Sequence, residues 1–201
     1  MYMNSWQTSQ KRLGLVLTIL SIIGLVASFV LTYDTIEKIK NPGFNPTCNI
    51  SPIISCGKAI TSLQGELFGI PNPIYGIVAF TALMVFSVTI LAGAQYRRWL
   101  WLIAEFVALA GVIFMHYLFF VSMVVLGSIC PWCSLVWVTT IAIFWYLTTH
   151  LNAIGILSWQ AKSNRIANFW KTYASPVLVL WYLVLIVIVF LRFRDYWLSL
   201  L

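Results

Sequence analysis

Residues Cys130–Thr149 read CPWCSLVWVTTIAIFWYLTT. The stretch contains no charged side chain, and about 20 predominantly apolar residues are what a helix needs to cross the ~30 Å hydrocarbon core of a bilayer. It is therefore predicted to be a membrane span. Its front end has chemistry of its own. Proline suits the first position of a helix, where a backbone N–H would have no partner anyway. Cys130 is thus expected at the N-cap and Cys133 one turn inside. The partial positive charge of a helix N-terminus favours a thiolate there.

Working outward, four more stretches satisfy the same length test: Leu13–Tyr33, Pro73–Ala94, Trp99–Leu126 and Pro176–Leu191. The chain of 201 residues is 61% hydrophobic and 8% charged. Soluble domains carry about 25% charged residues, so a water-soluble globule is excluded. The expected fold is an all-α membrane protein, a single domain over 1–201 with five transmembrane helices around a four-helix bundle. Gly127-Ser128-Ile129 is so short a link that the third and fourth spans must form a tight hairpin. The last span is the shortest, with Tyr173 and Trp197 as candidate interfacial anchors.

The net charge of +7 has no basic run behind it, so nucleic acid is not an expected partner. The lysines and arginines serve instead as orientation signals. With the N-terminus in the cytoplasm, the inner face holds Lys11, Arg12, Arg97, Arg98, Lys162, Arg165 and Lys171. The outer face holds Lys38, Lys40, Lys58, Arg192 and Arg194. The bias favours this topology, and either topology puts both cysteine pairs on one side. The first apolar run exceeds the length of a signal-peptide core and no small-residue cleavage site follows, so a retained helix is expected.

Residues 34–70 form the one long connection, with Cys48 and Cys56 inside it. Ala59–Phe68 is expected to lie along the membrane as a short helix with Ile60, Leu63 and Leu67 on one face. The chain has four cysteines, Cys48, Cys56, Cys130 and Cys133. Zinc is the main competing use of C-x-x-C, but the seven-residue gap in the other pair and the remote His116 and His150 do not supply a four-ligand set. No metal is expected. Cys48 and Cys56 admit two readings: an inert structural disulfide of an oxidising compartment, or a mobile dithiol that exchanges with the fixed pair at the helix start.

Cys-x7-Cys in the first loop, then C-x-x-C opening the fourth span, resembles the vitamin K epoxide reductase (VKOR) family. Ser62, six residues after Cys56, and Asn72-Pro73-Ile74-Tyr75-Gly76 add to the likeness, which covers about residues 10 to 195. The reverse cysteine order would have indicated DsbB-type quinone reductases. The resemblance implies that Cys48 meets a partner's thiols, Cys56 passes electrons to the Cys130–Cys133 disulfide at Cys130, and Cys133 faces a quinone, ubiquinone or menaquinone. It implies a quinone-dependent thiol:disulfide oxidoreductase that supports disulfide formation. Many bacterial members continue into a thioredoxin-like domain. Because this sequence stops at Leu201, the expected partner is a separate thioredoxin-fold, DsbA-like protein. The expected location is a bacterial inner membrane, with the N-terminus cytoplasmic and the cysteines extracytoplasmic. Animal members have a tyrosine where this chain has Trp137.

Quinone pockets are apolar with a few directed polar groups. Asn72, Tyr75, Trp137 and Ser62 are the candidates. Asn72 serves equally as a cap for the helix that Pro73 starts, and Tyr75 and Trp137 equally as interfacial anchors. His116 is read as a neutral histidine bonded to a neighbouring helix. Glu105 is expected to reach back to Arg97 or Arg98. Asn49-Ile50-Ser51 fits a glycosylation sequon, but a glycan beside Cys48 would block the partner. Two other functions stay open: reduction of vitamin K quinone or epoxide, and a non-enzymatic bundle or small transporter with structural disulfides.

Overall fold

The computed structural model describes residues 2–46, 48–157 and 164–198, and the side chains of 9–46, 48–157 and 175–198. Helix α1 runs Tyr2–Lys40. A short α2, Gly57–Ile60, a 3-10 turn, Leu63–Gly65, and a two-residue hairpin follow, β1 Glu66–Leu67 with β2 Ile70–Pro71. Then come α3, Asn72–Leu91; α4, Arg98–Phe120, prolonged by a π-helical turn, Val121–Leu126; and α5, Pro131–Ala153. Helix α6 runs Asn164–Arg192, and α7 is Arg194–Leu198. Among the described residues, five segments are long and apolar enough to span a bilayer: Ser9–Lys40, Asn72–Leu91, Arg98–Leu126, Pro131–Ala153 and Ser175–Arg192. The chain is an all-α integral membrane protein.

Several boundaries differ from expectation. Helix α1 continues past Tyr33 through Asp34–Lys40, because this segment has no proline or glycine until Pro42. Residues 59–68 are not one helix. The turn after Ile60 breaks it, and Gly65 is held so close to the Ala59 carbonyl that a Cβ there would lie 2.5 Å from that oxygen. Pro176 lies inside α6 rather than at its start. The side chain of Tyr173, like those of Lys162, Arg165 and Lys171, falls outside the described residues. Trp197 stacks on Phe190 at 5.9 Å between ring centroids.

Helix α1 packs on α3 and α5, α4 packs on α5, and α6 lies against α5. Lipid tails are as apolar as leucine, so close backbone approach and hydrogen bonds drive such packing. Gly24 of α1 lies under the Phe80 ring, where a Cβ would come within 2.4 Å of ring carbons, and Gly76 of α3 faces Ser28 as closely. Thr18 donates to Ser87 across the same interface at 2.9 Å. Gly24→Val is expected to cost about 1–3 kcal/mol, the usual penalty of overpacking. Thermal unfolding in detergent would read this as a lower midpoint, partly regained when Phe80→Ala is added.

Helix α6 is tied on by polar contacts. Trp181 donates to His116 Nε2 at 3.1 Å, which leaves Nδ1 to donate to the Val112 carbonyl at 2.8 Å. The indole is donor-only, so this histidine is the Nδ1–H tautomer bonded to a neighbouring helix, as expected. Glu105 is a correction. It is buried and accepts from Thr148 of α5, while Arg98 turns away to the Ile156 carbonyl at 2.9 Å. Close α4–α5 packing supplies a hydroxyl before the carboxylate can reach the interface.

Candidate active site: two facing cysteine pairs

Asn49 organises the cysteine loop. Its Oδ1 accepts from Ser55 Oγ at 2.9 Å and from the Gly57 N–H at 3.0 Å, drawing the ends of the Cys48–Cys56 interval together. A tight turn closes between them, with Ile54 N–H donating to the Ser51 carbonyl at 3.1 Å. Cys48 and Cys56 are joined as a disulfide. The amide of Asn49 is thus committed to the loop rather than presented for modification.

The loop is also pinned to the α4–α5 link. Ile54 and Ile129 form a parallel bridge: the Ile129 N–H donates to the Ile53 carbonyl at 2.7 Å, and the Ser55 N–H to the Ile129 carbonyl at 3.0 Å. Each bridged strand is followed by a cysteine. The result is Cys130 Sγ 3.0 Å from Cys56 Sγ, both residues buried. The freely swinging loop expected from sequence is therefore replaced, at Cys56, by a docked one. Gly127 makes the turn that aims Ile129, at φ +55°.

Cys130 is the N-cap of α5, with Pro131 in the first turn, as the sequence predicts. Its Sγ accepts from the Cys133 N–H at 3.3 Å. The Cys130 thiol is held below its ordinary pKa, chiefly by a hydrogen bond from the Cys133 thiol, with the Cys133 and Trp132 N–H groups adding to it. Burial and the nearby charge of Asp34 oppose the shift. A thiol whose ionisation is favoured, in contact with one sulfur of a disulfide, is the starting geometry of thiol–disulfide exchange.

Beneath the cysteines lies a largely apolar cavity of about 950 Å³ walled by α1, α3, α4 and α5. It extends from Asn72 and Cys133 down to Phe86 and Leu100. All four candidate pocket residues border it, in unequal ways. Asn72 is not the cap of α3. Pro71 takes that position, leaving Asn72 inside the first turn, where Nδ2 donates to the Gln64 carbonyl at 2.7 Å. Its Oδ1 is a buried acceptor with no hydrogen-bond partner among the described residues. Tyr75 spends its hydroxyl on the Leu67 carbonyl at 2.9 Å, and Ser62 on the Ala59 carbonyl at 2.8 Å. Both brace the loop over the cavity mouth. Trp137 is buried edge-on to Phe119, 5.3 Å between centroids, as a wall.

The model of the vitamin K epoxide reductase family matches residues 15–148. The chain belongs to this family. The match takes in all four cysteines, the loop of the first pair and most of α5, so the resemblance read from their order holds. VKOR family membership makes the protein a membrane oxidoreductase of the thiol- and quinone-linked kind, and family members use quinones. The residues here suit such a ring: an apolar chamber of about 950 Å³, Cys133 on its wall, and the unpartnered Asn72 Oδ1, an acceptor for a hydroxyl of the reduced quinol. Sequence reasoning missed the pinning contacts of Asn49, Ser55 and Ile129. Asn49 was legible only as a sequon, and a bridge between residues so far apart leaves no local trace.

Proposed function

We propose that the protein carries two electrons from the dithiol of a separate thioredoxin-fold protein to a membrane quinone, and so sustains disulfide formation outside the cytoplasm. The observation that carries this reading is the 3.0 Å approach of Cys130 Sγ to Cys56 Sγ at the mouth of the cavity that Cys133 lines. The partner thiolate attacks Cys48, Cys56 leaves, and the partner's second thiol releases Cys48. The partner departs oxidised. Cys56 then attacks the Cys130–Cys133 disulfide at Cys130, and Cys133 leaves as the thiolate facing the cavity. Cys48 displaces Cys130 from Cys56, restoring the loop disulfide and the helix dithiol. A bound quinone supplies the acceptor that reoxidises this dithiol. Asn72 Oδ1 accepts from a hydroxyl of the ring once it is reduced, while Trp137 and the apolar walls exclude water.

Quinone-linked reoxidation is how a bacterial periplasm stays oxidising, which supports an inner-membrane location with the cysteines extracytoplasmic. The positive charge distribution supports a cytoplasmic N-terminus. The test is capture. In Cys56→Ser, Cys48 is left without its internal partner; given the oxidised thioredoxin-fold protein, the Cys48 thiolate attacks that protein's disulfide, and the mixed disulfide, which Cys56 can no longer resolve, is expected to accumulate and to be identified by mass spectrometry. Recovery of Cys48 only as a free thiol, under conditions where the donor is turned over by the unmodified protein, would overturn the scheme.

A further inference from the structure

Asp34 has no role in the relay above, yet it is buried on the last turns of α1, with Oδ2 3.8 Å from Cys48 Sγ. Leu31, one turn earlier, packs in the same cluster as Cys48, Cys56 and Cys130. No ion pair with Asp34 exists among the described residues. On its own helix, Lys38 gives its ammonium to the Pro42 and Phe44 carbonyls, and Lys40 pairs with Glu37. From the loop, Lys58 bonds to the Pro52 carbonyl. Thr35 turns its hydroxyl to the Leu31 carbonyl. The titratable groups with a tie to Asp34 are thus Cys48, at 3.8 Å, and Cys130, whose negative charge Asp34 opposes.

We propose that Asp34 is the general base that takes the proton from Cys48 when Cys48 resolves the Cys56–Cys130 disulfide. The inference rests on the exchange between Cys56 and Cys130 described above. The Cys48 thiol gives its proton to the Asp34 carboxylate. The resulting thiolate attacks Cys56 Sγ, the Cys48–Cys56 bond forms, the Cys56–Cys130 bond breaks, and its electron pair leaves on Cys130. No external oxidant or reductant enters this step.

The arrangement couples two events. An ionised Asp34 opposes negative charge on Cys130. Once Asp34 has accepted the proton it is neutral, and that opposition is gone as Cys130 departs with charge. Asp34, Cys48, Cys56 and Cys130 are all buried, so a neighbouring base is the acceptor at hand, and electrostatic effects are stronger there than in bulk solvent. A positioned general base contributes roughly 10²–10⁴-fold to a proton-transfer step.

The experiment uses the full-length protein in detergent, dithiothreitol as electron donor and a short-chain ubiquinone as acceptor. Turnover is quenched with acid and the cysteine states resolved by alkylation. Cys48→Ser is run first and must trap the Cys56–Cys130 bond; if none forms, the exchange reading falls and this inference with it. Given that bond, Asp34→Asn is expected to accumulate it during turnover and to slow resolution by at least about 100-fold at neutral pH. The deficit should shrink at alkaline pH. The carboxylate works once it is deprotonated, whereas an unaided Cys48 must wait for its own thiol to ionise. Asp34→Glu should restore part of the rate. Unchanged resolution in Asp34→Asn, or a deficit of equal size at every pH, would overturn the assignment while leaving the relay standing.

Discussion

Dithiol-driven quinone reduction is expected to fall by roughly 10³-fold or more in Cys130→Ser, the scale on which loss of a covalent nucleophile is felt. The Cys48–Cys56 disulfide should still form, because Asn49 and the Ile54–Ile129 bridge organise that loop without the Cys130 side chain. The substitution removes the sulfur that touches the loop disulfide, 3.0 Å from Cys56 Sγ. A hydroxyl can keep the N-cap hydrogen bond from the Cys133 N–H, so α5 starts as before. It cannot carry a disulfide, and electrons stop at Cys56. Cys133→Ser should fail differently. Cys130 can still attack the loop disulfide at Cys56 and release the Cys48 thiol, a step that Cys48 can reverse, so the Cys56–Cys130 linkage is populated beside the loop disulfide while no disulfide facing the cavity forms. Anaerobic turnover followed by alkylation and electrophoresis separates the two states. Quinone reduction at more than a few per cent of the unmodified rate in Cys130→Ser would mean that electrons bypass this contact.

Ala79→Trp is expected to lower kcat/KM for quinone by roughly 100-fold, about 2.8 kcal/mol at ~1.4 kcal/mol per decade, and to leave exchange among the four cysteines intact. Ala79 lies on the face of α3 that lines the cavity, one turn beyond Tyr75 and Gly76. An indole there occupies space that a ring needs, and it does so away from the buried Cys48–Cys56–Cys130 cluster. Val85→Trp is the control. It is exposed on α3 and borders no part of the cavity. Quinone kinetics measured beside the rate of loop-to-helix disulfide transfer would separate occlusion from damage. Equal loss of both rates in Ala79→Trp would indicate a disturbed fold rather than a filled chamber, and unimpaired quinone reduction would move the quinone elsewhere.

Local features read well from the residues alone. His116 is bonded to a neighbouring helix, as expected, and Cys130-Pro131 starts α5 where the proline rule puts it. Errors cluster where two local rules compete. Of the two readings open for Asn72, the cap fails: Pro73 follows it, but Pro71 precedes it, and the helix starts one residue earlier. Glu105 looked free to reach Arg97 or Arg98, yet Thr148, forty-three positions along the chain, is nearer in space.

Composition alone determined that this chain lives in a membrane, how many times it crosses, and which residues cap its fourth crossing. Those outcomes depend on apolar run length and on the backbone chemistry of adjacent residues. Tertiary structure decided that Cys56 meets Cys130 across a sequence separation of 74, that Asp34 lies beside Cys48, and that a cavity remains between α3 and α4. These depend on which helix faces meet and on a backbone bridge that holds the loop in register. Packing of that kind is a property of the assembled bundle, with no counterpart in any single stretch.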